Sequence, residues 1–90
     1  MPTKYEPLET YLLNIPADTI EVLLTFTQIE NIIGASLPPS ARTYPAWWSN
    51  EGGDTQHSQA RAWGAAGFVV ESVHQDGENP RVQFKRTRFG

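Results

Sequence analysis

The sequence predicts a single α+β domain, and three observations carry that reading. Apolar residues recur at spacings of three and four in several stretches. Short alternating runs of apolar and polar residues stand beside them. Pro16, Gly34 and Gly67, residues that break or cap helices, fall at the joints between the two patterns.

Tyr5, Leu8, Leu12 and Ile15 form one stripe of a first helix. Pro7 suits its first turn, where a missing N–H costs nothing, and Pro16 stops it near Asn14. The run Thr19 to Thr25 alternates through Ile20, Val22 and Leu24 and predicts a strand. Thr25-x-x-Gln28 is a capping-box pattern, with Leu24 and Ile29 placed as a hydrophobic staple. Thr27-x-x-Glu30 offers a second frame two residues later. Ile29, Ile32 and Ile33 line one face of this second helix, and Gly34 is a natural left-handed cap.

Residues 35–57 break the pattern. Leu37-Pro38-Pro39-Ser40 and Tyr44-Pro45 forbid a continuous helix, and Gly52-Gly53-Asp54 is a turn. The stretch nevertheless holds Tyr44, Trp47 and Trp48, and disordered tracts are poor in aromatics. An ordered insertion is expected, pinned to the core by at least one tryptophan. Adjacent indoles cannot easily point the same way, so one is expected inside and the other partly exposed.

A third helix is expected over 56–66. Ala60, Trp63 and Ala66 or Gly67 make its apolar stripe, and Ser58, Arg61, Ala62 and Ala65 a small, nearly flat opposite face. Phe68 to His74 reads as a strand, Gln75 to Pro80 as a turn, and Arg81 to Lys85 as a second strand. In the last, Val82 and Phe84 point inward and Arg81, Gln83 and Lys85 outward. The two strands make a hairpin.

Helix, strand, helix, helix, strand, strand (α-β-α-α-β-β) is the order of a winged helix-turn-helix domain. There the first strand pairs with the hairpin, three helices pack on the sheet, and the hairpin forms a wing. The third helix would enter a major groove and the wing would touch the backbone. A helix-turn-helix turn usually spans about 3–4 residues, whereas a long insertion stands here. The expected fold is therefore winged helix-turn-helix-like with a long ordered insertion between its second and third helices, one domain over 1–90.

Of the 90 residues 39% are hydrophobic, enough for one modest core. The absence of cysteine excludes disulfides, thiolate zinc sites, iron–sulfur clusters and a cysteine nucleophile. No apolar run approaches the roughly 18 residues of a membrane span, and the N-terminus lacks the apolar stretch of a signal peptide. A cytoplasmic domain is expected. Net charge is -3, but residues 1–39 carry -4 and residues 40–90 carry +1. From Arg81 to Gly90 there are four bases and no acid. Such a tail can meet a polyanion or merely aid solubility.

His57 and His74 lack the partners that catalysis or metal binding needs, and Gly52-Gly53 has no following lysine to make a phosphate loop. No enzyme activity, metal or cofactor is expected. The residues that suit binding are Arg42, Trp47, Trp48, Asn50, His57, Ser58, Gln59 and Arg61. Arginine grips guanine or phosphate as a fork, amides read adenine, and indoles stack on bases. The same residue types also make protein-interface hot spots. Each has a plainer reading. Trp63 is core by its spacing, Asn50 suits a loop-capping amide, Arg42 can pair with Glu30 or Asp54, and Gln59 can bond the insertion.

At these residues the chain resembles a small prokaryotic domain family of unknown function. The resemblance runs through Tyr5-x-x-Leu8-x-x-Tyr11-Leu12 and Leu24-Thr25-Phe26-x-x-Ile29-Glu30-x-Ile32-x-Gly34. It continues in Leu37-Pro38-x-Ser40-Ala41-Arg42, Ala46-Trp47-Trp48-x-Asn50, Gln59-Ala60-x-Ala62-Trp63, Ala66-Gly67-Phe68 and Val82-x-Phe84-x-Arg86. The Leu-Pro-x-Ser-Ala-Arg and Trp-Trp-x-Asn elements are its specific parts. The resemblance implies domains found alone or joined to nuclease-like modules in bacteria and phages, hence a nucleic-acid or defence setting.

The function expected is nucleic-acid binding without catalysis, with duplex DNA as the ligand. Arg61 and Ser58 would lie nearest the bases, and Arg42, Arg81, Lys85 and Arg86 would hold phosphates. The exposed indole with Asn50 would meet backbone or an unusual base. The rival expectation is a protein-interaction module, such as a phage-encoded inhibitor or a nuclease adaptor. A dimer would need the hairpin edge to pair, and nothing in the sequence requires one.

Overall fold

The computed structural model describes residues 4–50 and 58–87. Four α-helices and a three-stranded antiparallel sheet make it an α+β fold. The helices are α1 (Glu6–Leu13), α2 (Phe26–Ile33), α3 (Pro39–Thr43) and α4 (Ser58–Ala65), with a 3-10 turn at Pro45–Trp48. The strands are β1 (Glu21–Thr25), β2 (Phe68–His74) and β3 (Arg81–Arg86), in the order β1-β3-β2. Thus β1 pairs with the hairpin, as the sequence predicts.

Local chemistry sets most boundaries. Pro7 stands in the first turn of α1. The Thr25 frame wins at α2. Its hydroxyl accepts the Gln28 N–H at 3.0 Å, and the Gln28 side chain accepts the Thr25 N–H at 2.8 Å. Gly34 closes α2 at φ 69° and Gly67 follows α4 at φ 86°, a region where a side chain is strained.

Val22 and Leu24 of β1 and Val82 and Phe84 of β3 are buried under the helices. Leu8 and Leu12 of α1, Phe26 and Ile29 of α2, and Ala60, Ala62 and Trp63 of α4 complete the core with Phe68. Two expectations need correcting here. Ile20 precedes β1, at the end of the sheet, and is 43% exposed although its carbonyl already accepts the Arg86 N–H. Ala62, expected on the free face of α4, is buried, because the helix is wedged between α1 and the sheet and presents two faces to neighbours.

The insertion is part of the core. Trp48 is buried and stacks on Phe26 of α2 at 5.1 Å and on Trp63 of α4 at 5.8 Å. Trp63 in turn meets Phe84 of β3 at 5.7 Å. A ladder of four aromatic rings therefore runs from one helix to the sheet, and the insertion supplies one rung. Trp47 is half-buried, edge-on to Trp48 at 4.6 Å and to Tyr5 at 5.8 Å. One indole inside and one partly out is the expected division. The insertion also folds further than expected: α3 fits between its two proline breaks, with Pro39 in its first turn.

Candidate functional site

The insertion meets the sheet at Asn50. Its amide nitrogen donates to the Val70 carbonyl at 2.7 Å. Its amide oxygen accepts the Val70 N–H at 2.7 Å and the Trp63 indole N–H at 3.1 Å. The register explains why Val70 is available. The Arg86 N–H donates to the Ile20 carbonyl, so Ile20, Val22 and Leu24 turn their backbone groups toward β3. Phe84, paired with Val22, therefore faces β1, and Val70, its neighbour on β2, faces outward. The Asn50 side chain pairs with Val70 as a neighbouring strand residue would.

The rest of the insertion is tied down similarly. The Ala41 carbonyl accepts both the Trp48 indole N–H and the Gln75 side-chain amide, each at 2.8 Å. Glu30 of α2 accepts the Leu37 N–H at 2.8 Å and the Arg42 guanidinium at 3.0 Å. Those two donors, the backbone N–H foremost, hold the Glu30 carboxyl below its ordinary range although partial burial opposes them. The Arg42 guanidinium also lies 5.6 Å from the Phe26 ring centre.

The predicted site residues thus divide. Trp48 and Gln59 are buried near Trp63, and the exposed Asn50 reaches its indole N–H from the surface; Gln59 makes a long 3.4 Å contact to the Trp47 carbonyl. Arg86 clamps the loop between α1 and β1. It donates to the Thr19 carbonyl at 2.9 Å, Pro16 at 3.0 Å and Ile15 at 3.3 Å, and sits 4.6 Å from the Phe68 ring centre. Arg42 is paired with Glu30. Arg61 stands exposed on α4, with Ser58 half-buried at its start. Arg81 and Lys85 share the sheet face turned away from the helices, where Arg81 is paired in register with His74 and reaches the Asn79 carbonyl at 3.3 Å. His57 and Gly52-Gly53-Asp54 lie outside the described residues.

The structure therefore brings the aromatic and amide residues together and puts Arg81 and Lys85 on a different face from Arg61. Sequence reasoning missed the Ala41 carbonyl and Gln75 as the joint between insertion and hairpin, and the clamp made by Arg86. The guanidinium's distant carbonyl partners leave no local pattern. The Asn50 latch had a signal, an amide just after the insertion's last tryptophan.

A family model matches residues 5–87. The chain belongs to DUF7662, a domain of unknown function. The DUF7662 match runs from Tyr5, which opens α1, to Thr87, just past β3, and so takes in every described element. No curated protein and no solved structure matches the chain. Among the described residues no group of histidine, aspartate and glutamate side chains could hold a metal ion, and no helix is long and apolar enough to cross a membrane.

Proposed function

We propose that this DUF7662 domain is a non-catalytic module for duplex DNA, of winged helix-turn-helix type, with α4 as the reading helix. The observation that carries the reading is the free face of α4. Trp63, Ala60 and Ala62 are buried, while Arg61, Gly64 and Ala65 are exposed. That face carries one cation and otherwise nothing larger than alanine, so its backbone can approach the floor of a groove. The pairing of β1 with the hairpin, and helices packed on one sheet face, supports the same reading. Ser58 lies beside Arg61 at the helix start. The hairpin turn holds Asp76 and Glu78, which repel phosphate, and Arg81 and Lys85 stand on the sheet face turned away from the helices, so Arg61 is the cation of the reading face.

Titration of short duplexes at several salt concentrations tests this. With Arg61 as the charged contact, log affinity falls with log salt at a slope of about -0.9, the value for one phosphate. Arg61→Ala weakens binding about tenfold or more, and Lys85→Ala leaves the slope unchanged. No binding at low salt overturns the reading. The rival, a protein-interaction module, has one specific observation in its favour: Leu23 is 58% exposed in the middle of an edge strand. A partner that co-purifies and withstands moderate salt would establish it.

A further inference from the structure

We infer that β1 docks against β1 of a second copy of this chain, so that two three-stranded sheets join into one of six. This does not rest on the DNA reading. β1 is an edge strand, and no described strand pairs with its outer side. Because Val22 and Leu24 turn their backbone groups to β3, those of Glu21 and Leu23 and the Thr25 carbonyl turn outward. The Thr25 N–H is already taken by Gln28.

A register centred on Leu23 brings the two exposed leucines together, whereas one centred on Val22 would set each Leu23 against a Glu21 carboxylate. A two-fold axis at Leu23 sets Leu23 opposite Leu23 of the second copy and Glu21 opposite its Thr25. Leucine N–H groups and carbonyls then exchange reciprocally, and each Glu21 N–H meets a Thr25 carbonyl. An axis at Glu21 would oppose two like charges. An axis at Thr25 would run into α2, which begins at Phe26. The Leu23 register also orders charge across the outer sheet face. Within one copy Lys85 is paired with Glu21 and Arg81 with Thr25. The joined row therefore reads Lys85, Glu21, then Thr25 and Arg81 of the second copy, so no like charges stand side by side. The two exposed leucines meet at its centre. Edge strands are commonly guarded by lysine, proline or a bulge, and β1 has none of these.

Sedimentation equilibrium of the full chain tests the proposal. A dimer is expected, and Leu23→Lys or Leu23→Glu alone gives a monomer of unchanged circular dichroism, because each sets like charges in contact. Mixing the two variants in equal amounts restores a dimer. A wild type that stays monomeric into the millimolar range overturns the inference, as does a Leu23→Lys variant that still dimerises. Failure to bind DNA touches neither result.

Discussion

The two outer strands of the sheet are finished in opposite ways. On β2 the outward groups of Val70 are bonded to the Asn50 side chain, and the ladder is interrupted by an irregularity between Val70 and Ser72. On β1 the ladder is regular and Leu23 stands exposed at its middle. The covered edge is the one beside the insertion. An amide can replace a strand residue because it offers a donor and an acceptor side by side, at the spacing of a peptide group. The long insertion thus covers one edge at Val70 as well as filling the core. A dimer through the hairpin edge at Val70 would have to displace Asn50.

Attacking the covered side produces the largest effect. Trp48→Ala removes the middle of the aromatic ladder and is expected to cost about 3–5 kcal/mol. Against a total of roughly 5–15 kcal/mol for a domain, that should lower the denaturant midpoint by at least about a fifth. Asn50→Leu leaves the Val70 peptide groups and the Trp63 indole N–H without their partner. A loss of about 1–3 kcal/mol is expected, with faster hydrogen exchange at Val70 and little change at Leu23. Equal change at both edges would remove the contrast drawn here. Arg86→Ala, which frees the loop leading into the open edge, should cost about 1–3 kcal/mol through lost charge-assisted bonds.

Smaller effects sharpen the picture. The Glu30 carboxyl is held low in the folded state chiefly by the Leu37 N–H and then by Arg42. Its contribution to stability is therefore full above its unfolded pKa and fades as pH falls through the lower folded value. In Glu30→Gln that part of the acid dependence should vanish from denaturant midpoints measured between neutral and acid pH. Leu23→Thr on the open edge should change monomer stability by no more than about 0.5 kcal/mol, since the side chain is largely in solvent.

Local signals made much of this fold legible. The capping box at Thr25, the left-handed caps at Gly34 and Gly67, and the alternation of Val82 and Phe84 act within a few residues, and each stands where the sequence places it. The division between Trp47 and Trp48 was legible too, because neighbours on one backbone must diverge. The candidate site was less so. Arg86 and Asn50 carry side chains suited to nucleic acid, yet both are spent on carbonyls 20 or more positions away. Residue type states what a group can bond, and only proximity in the fold decides what it does bond.

Composition and periodicity by themselves determined an α+β chain with one core, its capped second helix, its hairpin and an insertion held by tryptophan. The tertiary structure alone decided that Ala62 is inside, that Arg81 and Lys85 lie on the sheet face away from the helices, and that Asn50 covers one sheet edge at Val70 while no described strand pairs with the other. Local elements form from contacts within a turn or two of the chain. Edge closure and charge placement depend on the register of strands far apart in sequence, where a shift of one residue would turn every side chain to the other face.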